Sequence, residues 1–205
     1  HVGIVNVVGG SPANFITPGT YGSVIGGGGA VSYFGYSGTN SVAADFSFLG
    51  GGEANAIQTG AAVSALVGGD YNSIQRDAYA SVLVGGEDNV VATNAAYAAL
   101  VGGVRNTVGV DAWESFLGGG SFNSIGVSAS EAALVGGSKN SIGANAYYAF
   151  LGGGYTNRIE PDCLAAVLAG GEGNLINPYA SYSVLVGGEG NTIERNTSHA
   201  FLGGG

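Results

Sequence analysis

Apolar and polar positions follow one another along this chain in a pattern that returns every 17 residues. The recurring asparagine serves as origin: Asn55, Asn72, Asn89, Asn106, Asn123, Asn140, Asn157, Asn174 and Asn191. Two residues on stands Ile or Val, from Ile57 to Ile193. Six on stands Ala, replaced only by Cys163 and Thr197, and eleven on stands Leu without exception, from Leu66 to Leu202. A glycine pair and two variable residues then lead to the next Asn. A fixed short period marks a solenoid or array and governs every later inference about the fold. Just before the Ala column lies a turn-forming position (Asp77, Asn94, Asp111, Ser128, Asn145, Asp162, Asn196). These residue types suit Asx turns and tolerate left-handed backbone.

Short β-branched and aromatic runs bounded by Gly and Asx predict strands. Helix is disfavoured, because each interior glycine would cost about 1 kcal/mol relative to Ala. The pattern therefore predicts an all-β fold, a parallel β-solenoid with one coil per repeat. A longer strand should end in the Leu column, the glycine pair should turn a corner, and a shorter strand should carry Asn-x-Ile. Coils stacked about 4.8 Å apart would place like residues in ladders, and ten or so coils would give a rod roughly 50 Å long.

The residues on either side of the Leu column vary together. Phe48 accompanies Gly50, Phe116 accompanies Gly118, Phe150 accompanies Gly152, and Phe201 accompanies Gly203. Elsewhere the pairs are Ala65/Val67, Val82/Val84, Ala99/Val101, Ala133/Val135, Val167/Ala169 and Val184/Val186. Residues two apart on a strand share a face, so a large side chain is matched by a missing one, as close packing demands. This face lies opposite the Leu ladder. One coil can enclose only one of the two, so the other should form an apolar stripe along the rod. Soluble monomers rarely expose so much contiguous apolar surface. The expected remedy is a closed homo-oligomer, with three chains favoured.

Residues 48–205 follow the period, whereas residues 1–47 do so less well. Asn14 and Ile16 match, and Ser23 to Gly27 fall in register with them. From Asn14 to Asn55 the chain runs seven residues beyond two periods, and the excess should lie within 28–44. That segment contains Tyr33, Phe34 and Tyr36. Insertions in repeat proteins map to loops, often on the binding face. The aromatics therefore read either as a cap over the first coil or as a ligand-binding loop, stacking on sugar rings for instance.

Composition narrows the function classes. Hydrophobic residues make up 45% and charged residues 9% of the 205, the reverse of a disordered chain. The net charge of −9, with five scattered basic residues, argues against nucleic acid or an anionic membrane as partner. No apolar run approaches the ~18 residues of a membrane-spanning helix. The single cysteine, Cys163, sits in the Ala column, forms no intrachain disulfide, and is expected to be a small buried filler. The chain begins at His1 and stops in mid-repeat at Gly205, which reads as a processed product or a segment of something longer.

Two residues before the Asn, acidic groups recur: Glu53, Asp70 and Glu87, then Glu172 and Glu189. Carboxylates stacked about 5 Å apart repel by roughly 1 kcal/mol in water, and Ca²⁺ could relieve this. The competing and preferred reading is a solvated acidic edge. Stacked asparagines read as a structural ladder rather than a ligand site. For catalysis, His1 and His199 lie at opposite ends of the sequence. Asp45, Asp111, Glu114 and Asp162 fall mostly in turn columns instead of converging as a glycosidase would require. The chain is expected not to be an enzyme.

Asn123-Ser124-Ile125 and Asn140-Ser141-Ile142, with Ala-x-x-Ser-Phe-Leu-Gly-Gly-Gly, carry a resemblance that spans roughly residues 48–205. They resemble the head repeats of YadA-like trimeric autotransporter adhesins, and are similar to Gly-Gly-x-x-Asn repeats of phage and viral fibre proteins. The resemblance implies a left-handed homotrimeric β-roll at a cell surface or virion. The expected role is a non-enzymatic fibre segment, stalk or head, attaching to a surface glycan or host receptor through loops such as Tyr33–Tyr36. A self-assembling filament with end-to-end coil stacking is the alternative, and a glycan-degrading tailspike a third.

Overall fold

The computed structural model describes residues 3–205, of which Tyr33 by its backbone alone. The chain is an all-β parallel β-solenoid of about 11 coils at roughly 17 residues per turn, with no helix among the described residues. Each regular coil contributes one strand to each of two parallel sheets. The leucine sheet has 12 strands, running Val7–Val8, Val24–Ile25, Phe48–Leu49, Ala65–Leu66 and onward to Phe201–Leu202. The isoleucine sheet has 11, from Phe15–Ile16 and Ser41–Val42 to Thr192–Ile193. Registers are strict: Leu117 pairs with Leu100 on one side and Leu134 on the other, and Ile125 with Val108 and Ile142. A third ladder of single bridges runs from Glu53 through Asp70, Glu87, Val104, Ser121, Ser138, Tyr155 and Glu172 to Glu189.

The strands of the two sheets are equally short, two residues each, where unequal lengths were expected. The reason is the frequency of left-handed residues. The coil from Asn106 to Phe122 bends at Asp111 (φ 56°), Glu114 (φ 55°), Gly120 (φ 85°) and Phe122 (φ 57°). The first of these is the turn column read from the sequence. Left-handed backbone on a non-glycine residue costs of order 1–3 kcal/mol, so stacking on both neighbouring coils must hold these bends in place.

Five inward side chains per coil form the core. In one coil they are Asn123, Ile125, Ala129, Ala132 and Leu134, none more than 1% exposed. Asparagine is tolerated there because every polar atom is used. The Asn123 Nδ2 donates to the Gly119 carbonyl (2.8 Å) and to the Gly137 carbonyl of the next coil (2.9 Å). Its Oδ1 accepts the Asn140 backbone N–H (2.9 Å). Buried polar groups that are paired in this way avoid the penalty of a few kcal/mol for an orphan. The same geometry explains the Gly-Gly-x-x-Asn motif. A Cβ on Gly120 would run into the Gly137 carbonyl and come within 2.8 Å of the Asn123 amide nitrogen. The glycine leaves room for the asparagine, and the asparagine satisfies the glycine carbonyls.

A second polar ladder escaped the sequence reading. Ser47, Ser64 and Ser81 stack in a column shared with Ala98, Ala132 and Ala166, all buried. The Ser81 Oγ donates to the Ala95 carbonyl (2.9 Å) and accepts the Ala98 N–H (3.1 Å). Cys163 is fully buried, as expected, and its Sγ contacts the Asn177 carbonyl at 3.1 Å. Burial raises its thiol pKa, so it stays protonated and unreactive.

The irregular N-terminal region resolves into two edits. The asparagine ladder passes from Asn14 through Asn40 to Asn55. These steps are 26 and 15 residues, one nine too long and one two too short. The nine additional residues form an antiparallel hairpin, Ala30–Tyr33 and Tyr36–Gly38, between the bridge position Gly29 and the asparagine corner. The two missing residues come out of the turn between Val42 and Ser47, where Ala44 keeps its buried place.

Candidate interaction surfaces

Four features of the rod could meet a partner. The first is the outer face of the leucine sheet. Phe48, Val82, Phe116 and Phe150 project from it, and Val67, Val84, Val101, Val135 and Val186, one residue past the Leu column, share the same face. Phe116 is 40% and Val84 43% exposed. The size matching arises within the chain: a Cβ on Gly118 would run into the Val135 carbonyl of the next coil and lie 3.2 Å from the Phe116 ring, and one on Gly50 would run into the Val67 carbonyl and lie 3.3 Å from the Phe48 ring. In the single chain this face is half open to solvent rather than buried on both sides.

The second is the hairpin. Phe34 is 85% and Tyr36 70% exposed at its tip, which turns through Phe34 (φ 47°) and Gly35. The Tyr33 side chain lies outside the described residues. At its base Gly38 packs against the Glu53 side chain so closely that a Cβ would overlap it. The hairpin therefore leaves the rod beside the acidic column.

That column is the third feature. Glu53, Asp70 and Glu87 are adjacent in the bridge ladder, one per coil, as the period required. The Asp70 Oδ1 is buried without a hydrogen-bond partner. Each coil supplies one carboxylate, and among the described residues no group of three or more His, Cys, Asp or Glu gathers where a metal ion could sit. The candidate catalytic groups also stay apart. Asp111 and Asp162 lie in the turn column, Asp111 accepting from Asn94 (2.5 Å) and Asp162 from Asn145 (3.1 Å). His199 stacks on Tyr182 with centroids 5.2 Å apart, and His1 is outside the described residues.

The fourth feature was missed from sequence. The two positions following the Ala column form an outward corner, and it is rich in aromatics: Tyr79, Tyr97, Trp113, Tyr147, Tyr148 and Tyr182. Tyr79 and Tyr97 meet edge to face at 5.7 Å. Aligning the repeats would have exposed this column. Its left-handed backbone would not have been guessed, because Val63, Tyr97, Glu114, Glu131 and Tyr148 adopt it there (φ 55° to 62°) and none of them favours it. The Glu131 carboxylate, with a smaller contribution from Glu114, holds the Tyr148 hydroxyl pKa above its ordinary value.

Among the described residues no helix is long and apolar enough to cross a membrane. In comparison with known proteins, the chain matches no family model and no curated protein.

Proposed function

We propose that this chain is a non-enzymatic structural fibre segment, self-associating side by side as a homotrimer through the outer face of the leucine sheet. The uncovered Phe/Val ladder carries this reading. Over ten coils it amounts to a stripe about 50 Å long and about 10 Å wide, roughly 500 Å² in projection. That lies at the upper end of the apolar patches a soluble monomer carries and approaches one partner's share of a standard interface. A second copy of the chain is the fitting occupant, because the stripe is free of charged residues and an identical ladder repeats at the same coil spacing along its whole length. On this reading the fibre stands at a cell surface or on a virion, and the hairpin with Phe34 and Tyr36 presents the attachment loop. The resemblance to adhesin-head and viral-fibre repeats supports that setting.

Sedimentation equilibrium at micromolar concentration tests the association. A discrete trimer is the expected result. A monomer would overturn the proposal, and a species growing without limit with concentration would replace it with end-to-end stacking of coils.

A further inference from the structure

We propose that the corner formed by Trp113, Ser130, Glu131, Tyr147 and Tyr148 is a binding site for a substituted-ammonium group. The solenoid lays these residues out as a grid. Trp113, Ser130 and Tyr147 occupy one column in three successive coils, and Glu114, Glu131 and Tyr148 occupy the next. Backbone hydrogen bonds lock the grid: Glu131 N–H donates to the Trp113 carbonyl (2.8 Å) and Tyr148 N–H to the Ser130 carbonyl (3.1 Å). The small Ser130 between two large rings makes a groove, with Trp113 and Tyr147 as walls about 10 Å apart by the coil spacing. Its floor is already satisfied, since the Ser130 Oγ donates to the Asp111 carbonyl (3.1 Å) and accepts the Trp113 N–H (3.2 Å). The rings remain open, Trp113 being 50% exposed.

Charge selects the occupant. Glu114 and Glu131 stand in neighbouring coils of one column, and Glu131 acts electrostatically on the Tyr148 hydroxyl. None of the five basic residues (Arg76, Arg105, Lys139, Arg158, Arg195) falls in either column of the grid. Elsewhere the chain covers exposed rings with its own cations: Arg105 lies 5.6 Å from the Phe122 centroid, Lys139 5.3 Å from Tyr155, and Arg195 5.3 Å from Tyr179. At this corner the rings and carboxylates are present and the cation is not supplied by the grid. A cation with an apolar body would gain ring contact from Trp113, Tyr147 and Tyr148 and charge pairing from Glu131. It would also relieve the repulsion between Glu131 and Glu114. A neutral sugar would gain the ring contact alone.

Trp113 is the only tryptophan of the chain, so its fluorescence reports this corner alone. The full chain is titrated at low salt with choline, with its uncharged isostere 3,3-dimethylbutanol, with phosphocholine and with cellobiose. Expected are a saturable change of Trp113 emission with choline and at least tenfold weaker binding of the isostere. Phosphocholine should also bind more weakly than choline, because its phosphate meets Glu114 and Glu131. Glu131→Gln should weaken choline binding at least fivefold with the circular dichroism spectrum unchanged. Equal binding of the isostere overturns the proposal by making the groove merely apolar. Saturable binding of cellobiose without choline overturns it in favour of a sugar site, and no response to any probe overturns it outright. None of these outcomes depends on whether the chain is a trimer.

Discussion

The two sheets of this solenoid share one core, one period and one strand length, yet their outer faces differ. The leucine sheet presents only apolar side chains to the outside, Phe48, Val82, Phe116, Val135 and Val184 among them, while the isoleucine sheet presents a mixture, Ser73, Thr107, Ser124, Ser141, Arg158 and Thr192 together with Val90 and Leu175. Inside, both are sealed by fully buried Leu, Ile and Val. What the difference teaches is that folding the coil fixes only the inward half of each strand. The outward half is free to vary, and on the isoleucine sheet it varies as a solvated surface does. On the leucine sheet it stays apolar throughout, with Phe, Val or Ala at one position and Val, Ala or Gly two residues on. A long contiguous apolar stripe is what a soluble monomer rarely leaves in water, which is why the leucine sheet is the one proposed to meet a partner.

The largest expected effect ignores the contrast between the faces and strikes what they share. Asn123→Ala would orphan the Gly119 carbonyl and the Asn140 N–H inside the rod and take one of two donors from the Gly137 carbonyl, which keeps the Ser121 N–H, at a cost of about 2–5 kcal/mol. Chemical denaturation, with amide exchange of the neighbouring coils, measures it. A loss below ~1 kcal/mol would mean that the asparagine ladder does not tie the coils together.

An intermediate effect is expected on the leucine face. With Gly118 kept, Phe116→Ala should cost the isolated chain only about 1 kcal/mol, since the ring is already 40% exposed. In the associated state the same change should cost several kcal/mol per chain, by leaving a cavity in the interface. Denaturation midpoints at nanomolar and at high micromolar concentration separate the two, and equal losses at both would mean that nothing covers this face.

The smallest effect belongs to the isoleucine face. Ser124→Lys should change stability by no more than about 0.5 kcal/mol and leave the sedimenting mass unaltered. Loss of association on this substitution would transfer the interface to the other sheet and undo the contrast drawn above.

Much of this molecule was legible along the chain because a solenoid turns sequence distance into spatial adjacency. The period of 17 placed Leu66 to Leu202 and Ile57 to Ile193 in two ladders, and both are there, buried throughout except for the half-buried Leu202 at the end. Asp77, Asn94 and their successors announced left-handed corners because such side chains tolerate that backbone. Cys163 disclosed its burial through the alanines it replaces. Other features were decided by stacking. Glu114, Phe122 and Tyr148 are left-handed against their own preference, since the bend at their position is fixed by hydrogen bonds from the coils before and after. The seven surplus residues near the N-terminus proved to be a nine-residue hairpin and a two-residue deletion, which only the asparagine ladder through Asn40 could separate. Trp113, Glu131 and Tyr147 follow one another along the chain at steps of 18 and 16 residues. The coil placed them around one groove. Column membership is written in one dimension, whereas the company a side chain keeps across coils depends on how the turns fold back, and that is a property of the stack.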